Sequence, residues 1–131
     1  MTGKPTIFVV DDDAAVQDSL RVLLESADHR VETYGSGLDF LDSDHDHAAG
    51  CLILDLDLPV MSGLEVLETL SDERAEMPVI LISGRADRAT RNRALRTGAV
   101  ALLEKPIKDG LLIETVARVL AANRKGRAGG P

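Results

Sequence analysis

Five short apolar runs, at residues 7–10, 31–34, 52–54, 79–82 and 100–103, recur along the chain with helix-like segments between them. Each run is continuous rather than alternating, so the strand it forms must be covered on both faces, as in a parallel sheet. Strand and helix then alternate five times. This predicts an α/β, doubly wound domain with a five-stranded parallel sheet, flanking helices and right-handed crossovers. Asp13 can cap the first helix, whose Val16, Leu20, Leu23, Leu24 and Ala27 share one face. A second helix covers residues 38–41, and Leu64, Val66, Leu67 and Leu70 mark the third. The fourth is polar, over residues 88–97, and closed by Gly98; the fifth covers residues 111–122. A length of 131 residues suits one domain, here 1–122. The remaining "NRKGRAGGP", 123–131, is basic and glycine-rich and reads as a linker or disordered tail.

In doubly wound sheets the functional crevice lies outside the carboxyl ends of the strands. The polar residues that end the runs are Asp11 and Asp12 after the first, Asp55 after the third, Ser83 after the fourth and Lys105 after the fifth. The second ends in Tyr34-Gly35-Ser36, which offers no comparable chemistry. Carboxylates converging on one edge repel one another unless a cation intervenes. Mg²⁺ suits such a site, because it takes one or two carboxylates, waters and a substrate phosphate in place of an all-protein cage. One aspartate can then attack phosphorus and become an aspartyl phosphate. Lys105 would neutralise one phosphoryl oxygen, and the Ser83 hydroxyl would donate to another.

Charge narrows the partners. Residues 1–73 hold three Lys/Arg against seventeen Asp/Glu and residues 74–131 hold twelve against five, so the halves carry −14 and +7. An acidic first half fits a cation-attracting site and argues against direct nucleic-acid binding by this domain. No apolar run approaches the roughly 18 residues of a membrane span, and the first residues lack the order of a secretory signal. The expected setting is cytoplasmic, without membrane contact. The one cysteine, Cys51, opens an apolar run and reads as a small buried residue.

"IFVVDDD", "LILDLDLPVMSGLEVL", "PVILISG" and "GAVALLEKPI" together resemble the receiver (CheY-like) domains of two-component response regulators, over about residues 6–120. "VETYGSGLDFLDS" and "GAVALLEKPI" are most similar to receivers of the nitrogen-fixation regulator (FixJ-type) group. The resemblance implies a flavodoxin-like fold with strand order 2-1-3-4-5. It makes Asp55 the phosphoacceptor, Asp11 and Asp12 the acidic pair with Asp12 the more direct Mg²⁺ ligand, and the Asp57 backbone carbonyl a further ligand. Ser83 becomes the switch hydroxyl and Lys105 the phosphoryl contact, with a cis peptide before Pro106. The implied partner is a sensor histidine kinase or phosphotransfer protein. The implied output is a changed surface about the fourth helix, with a homodimer through the fourth helix, fifth strand and fifth helix, in the service of transcription control.

Some residues depart from the receiver pattern. Leu102 stands where receivers usually carry an aromatic switch. Asp57 and Arg85, two residues beyond acceptor and hydroxyl, occupy positions that tune phosphoryl lifetime, and a pair between them would shield the site. Arg85, Arg88, Arg91, Arg93 and Arg96 give the fourth helix either a solvated face or an interface. Asp44, His45, Asp46 and His47 read as a loop more than as a metal site. Two other functions compete. "LDLDLP" also resembles the DxD motif of haloacid-dehalogenase-type phosphatases, but Pro59 stands where threonine is expected and the acidic pair precedes the nucleophile. A stalled, receiver-like interaction module is opposed by the intact acidic pair, acceptor and lysine.

Overall fold

The computed structural model describes residues 5–43, 50–73 and 75–128. The elements alternate as β1 (Thr6–Val10), α1 (Ala14–Ser26), β2 (Arg30–Tyr34), α2 (Gly37–Asp42), β3 (Cys51–Asp55), α3 (Gly63–Asp72), β4 (Val79–Ser83), α4 (Arg88–Thr97), β5 (Ala101–Glu104) and α5 (Asp109–Ala128). All strand pairs are parallel and the order is β2-β1-β3-β4-β5, as the resemblance implies. The order reverses at β1, whose neighbours are β2 and β3, so the crevice opens between the carboxyl ends of β1 and β3.

Side chains alternate across the sheet and divide the interior in two. Phe8, Val10, Leu52, Leu54, Val79 and Leu81 face Phe40 of α2, Val66, Leu67 and Leu70 of α3 and Ala94 of α4. Ile7, Val9, Cys51, Ile53, Ile80 and Ile82 face Leu20 and Leu24 of α1 and Leu112, Val116 and Leu120 of α5. Both faces are buried, which is why the central runs carry no polar alternation. Phe40 anchors the first cluster through tilted and edge-on contacts to Phe8 and Tyr34, with centroids 5.7 and 5.5 Å away. Cys51 is buried in the second cluster, and burial pushes its thiol up to about 12.

Helix starts follow local chemistry. Asp13 caps α1 by accepting from Ala15 N, Asp87 caps α4 by accepting from Thr90 N, and Ser62 with Glu65 forms a capping box at α3. Gly98 ends α4 at φ 122°, a conformation that favours glycine. Most elements differ from the sequence expectation by a residue or two at an end, and two of the differences are informative. The fifth strand starts at Ala101 rather than Val100, which donates to Val79 O but leaves its side chain half exposed. α5 runs six residues past Ala122, through 123–128, which reads by composition as a tail. Propagating a formed helix needs only one backbone bond per residue, and Ala, Arg and Lys are good helix formers, so the helix outlasts its apolar stripe. Among the described residues no helix is long and apolar enough to cross a membrane. Asp44, His45, Asp46 and His47 lie outside the described residues.

Candidate functional site

Sheet register assembles the site. Val10 pairs with Leu54, so Asp11, the next residue, sits beside Asp55, the last residue of β3. Asp55 pairs with Ile82, Ser83 ends β4 opposite Glu104, and Lys105 follows β5. Asp11, Asp12, Asp55, Asp57, Arg85 and Lys105 line one open cleft.

Its floor is buried and negatively charged. Asp11 is fully buried and Asp55 is 2% exposed, while Asp12 projects into solvent. Carboxylate oxygens of these three residues all lie within 4.8 Å of one another. Asp55 Oδ1 accepts from Asp57 N at 2.9 Å, and Asp55 Oδ2 accepts from Lys105 Nζ at 3.2 Å. Asp11 Oδ1 accepts from Asp13 N at 2.9 Å. Its Oδ2 is buried, has no hydrogen-bond partner and lies 3.6 Å from Lys105 Nζ. Burial raises the Asp11 pKa; the Asp13 amide and Lys105 pull it back, and the charges of Asp55 and Asp12 push it further up. Burial pulls the Lys105 ammonium down, but Asp55 and Asp11 together outweigh it and hold its pKa above the ordinary lysine value. An orphaned buried carboxylate oxygen beside two further carboxylates fits a hard cation with oxygen ligands.

The second wall is a set of hydrogen bonds from Ser83. Its hydroxyl donates to Asp57 Oδ2 at 3.2 Å and accepts from the amides of Arg85 at 3.1 Å and Ala86 at 3.0 Å. Gly84 N also donates to Asp57 Oδ2, at 3.2 Å. This corrects the pairing expected of Asp57 with Arg85: among the described residues that pair is not made, and Arg85 stands exposed at the rim. The neutral donors win because they lie on the adjacent strand end and loop, whereas an exposed ion pair would have to fix a long flexible side chain. Lys105 N donates to Ser83 O at 2.9 Å, and the Lys105–Pro106 peptide is cis. Leu102 is half-buried against the α3 and α4 side of the sheet, opposite Leu81.

One contributor escapes the sequence reading. Gln17 Nε2 donates to Asp11 O at 2.6 Å and to Tyr34 O at 3.4 Å, tying α1 to the ends of β1 and β2. Its signal is positional: residue 17 lies one helical turn from Leu20 and shares the inward side with buried Leu24, where a polar side chain needs a polar partner.

A five-stranded parallel sheet in this order, with three clustered carboxylates and a lysine at its carboxyl edge, has the layout of a signalling receiver. Residues 7–117 match the family described as the response regulator receiver domain, and the chain belongs to that family. It is 39% identical over 120 residues to the transcriptional regulatory protein TdiR of Thauera aromatica, covering 92% of this chain and 53% of TdiR. It is 35% identical over 131 residues to the transcriptional regulatory protein FixJ of Bradyrhizobium diazoefficiens, covering 98% of this chain and 64% of FixJ. Among solved structures the response regulator StyR superposes with a TM-score of 0.88 at 37% identity, over 96% of this chain and 64% of that one. The chain thus spans between about half and two-thirds of these relatives. The phosphatase alternative finds no support among them.

Proposed function

We propose that Asp55 is the phosphoacceptor of this receiver, and that it takes its phosphoryl group from the phosphohistidine of a sensor histidine kinase or phosphotransfer protein. The observation that carries this is the buried Asp55 carboxylate, held between the Asp57 amide and Lys105 and flanked by Oδ2 of Asp11, which has no hydrogen-bond partner. One Asp55 oxygen attacks phosphorus, the P–N bond breaks, and its electron pair returns to the imidazole nitrogen of the donor. Lys105, already in the site, moves its charge from the Asp55 carboxylate to the phosphoryl oxygens as they arrive. Asp11, Asp12 and Asp55, with the Asp57 carbonyl, would hold Mg²⁺, whose charge offsets the carboxylate cluster and the phosphoryl group. The Ser83 hydroxyl turns from Asp57 toward the phosphoryl group. Leu102, Asp57 and Arg85 set how readily that happens and how long the acyl phosphate lasts.

The reaction is stoichiometric: this domain catalyses its own phosphorylation and hydrolysis and turns over no external substrate. An apolar groove lined by Val16, Leu20, Pro106, Ile107 and Leu112 opens beside Lys105 and gives a phosphodonor a seat next to Asp55. Such an exchange belongs in the cytoplasm. TdiR and FixJ are transcriptional regulatory proteins, which supports an output in transcription control, with phosphorylation-dependent pairing of two copies through α4, β5 and α5.

Intact mass after incubation with acetyl phosphate and Mg²⁺ tests the assignment. A labile adduct of about 80 Da, one phosphoryl group, is expected on the wild type and absent from Asp55→Asn or with chelator. An adduct that survives Asp55→Asn would overturn it.

A further inference from the structure

The resting hydrogen bonds of Ser83 continue outward, beyond what holding a hydroxyl requires. The Ala86 peptide donates its N–H to Ser83 Oγ at 3.0 Å, and its carbonyl accepts from Arg91 Nε at 3.4 Å. The other end of that guanidinium pairs with Glu104. Glu104 lies across the β4–β5 ladder from Ser83, and Lys105, the next residue, donates its N–H to the Ser83 carbonyl. A closed ring results, from the Ser83 hydroxyl through the Ala86 peptide, Arg91 and Glu104 back to Ser83. No other arginine of α4 joins it: Arg93, two residues on, pairs with Glu68 of α3.

We propose that Arg91 is a positioning residue of the phosphorylation switch. Anchored to β5 through Glu104, it holds the Ala86 carbonyl, and with it the segment between β4 and α4, in the unphosphorylated arrangement. The inference rests on the roles of Asp55 and Ser83 given above. Ser83 has a single O–H, and it is committed to Asp57 Oδ2. To donate it to a phosphoryl oxygen on Asp55 the hydroxyl must leave Asp57, and the Arg85 and Ala86 amides seated on Oγ must follow or let go. When the Ala86 amide follows, its peptide turns and its carbonyl parts from a guanidinium fixed at its far end to a strand. A contact made in only one of two states favours that state, so the latch opposes the switch. With Leu102 in β5, which carries no polar group, the Arg91–Glu104 pair gives a polar route, among the described residues, from the segment after Ser83 to β5.

The test is binding of trifluoroberyllate with Mg²⁺, a phosphoryl mimic, followed by amide NMR of residues 84–87 in the whole chain. The variants are Asp55→Asn, Arg91→Ala, Glu104→Ala, the Arg91→Ala/Glu104→Ala double and Arg93→Ala, each checked for wild-type fold by its spectrum. Arg91→Ala and Glu104→Ala are each expected to bind about two- to fivefold tighter than wild type, the range an exposed ion pair supports. The double should be no tighter than either single, because both remove one latch, and Arg93→Ala should match wild type. The first variant removes a positive charge and the second a negative one, so tightening in both cannot come from the field at the site. Wild-type affinity in both, opposite shifts or additive effects would overturn the latch and leave the role of Asp55 standing. Failure of the wild type to bind, or equal binding by Asp55→Asn, would instead remove the reading beneath it.

Discussion

Asp11 holds a poor position for a carboxylate and a good one for a ligand. Its Oδ2 is buried without a hydrogen-bond partner, and burial, together with the charges of Asp55 and Asp12, raises its pKa against the pull of the Asp13 amide and Lys105. A carboxyl whose folded pKa is raised supports the fold below its unfolded pKa, and that support is lost as pH climbs through the folded value. At neutral pH and without metal, Asp11 therefore costs stability. Asp11→Asn is expected to stabilise the metal-free protein by about 1 kcal/mol, the scale of one unsatisfied buried group. It should also abolish the rise in Tm that Mg²⁺ gives the wild type by binding the folded state. Thermal melts with Mg²⁺ and with chelator measure both. The stability gap should close below about pH 4, where the carboxyl is protonated in folded and unfolded chains alike. A variant less stable than wild type in chelator at pH 7 would count against this account.

At the scale of elements, Gly63 is the residue whose substitution tells most. It is the first residue of α3, set against the backbone of Asp55, the proposed phosphoacceptor. A Cβ there would lie 2.3 Å from the Asp55 carbonyl oxygen and 2.7 Å from Leu56 Cα, both backbone atoms that cannot swing aside. Gly63→Ala is expected to destabilise by about 2 kcal/mol, as overpacking does, and to slow phosphorylation by shifting Asp55. Urea unfolding and the rate of adduct formation report the two effects, and a variant matching wild type in both would show that α3 can retreat. The contrast with β3 shows what is legible. Leu52 to Leu54 is readable as a strand because both faces are buried, and the functional ends of the strands are readable because polar residues stop apolar runs. The end of α5 is not, since backbone propensity carries it past the end of its apolar stripe. The partner of Asp57 is not readable either: sequence offers the charge of Arg85, whereas distance selects the Ser83 hydroxyl and the Gly84 amide.

For the whole molecule, the sequence leaves open which surface a second copy would meet, because five arginines in α4 and the residues before it read equally as solvated or as interface. Two of them are spent within the chain, Arg91 on Glu104 and Arg93 on Glu68. Beside the remaining charges, the α4–β5–α5 side presents apolar groups: Leu95 is 49% exposed, Val100 52% and Leu111 44%. β5 is also an edge strand of four residues, with one ladder side unpaired in the sheet. Exposed apolar groups beside a sheet edge make a surface that gains by being covered. If phosphorylation moves the segment between β4 and α4, α4 is the helix it carries, and pairing through this side becomes dependent on Asp55. Sedimentation velocity with and without trifluoroberyllate and Mg²⁺ should therefore show self-association of the wild type that strengthens with the mimic. Leu95→Glu should weaken the activated dimer by about tenfold or more, the effect of placing a charge at an apolar contact. Val22→Glu, in α1 and so outside α4, β5 and α5, and 66% exposed, should leave it unchanged. Equal weakening by both would point to net charge instead, and an undisturbed dimer with Leu95→Glu would move the interface to another face.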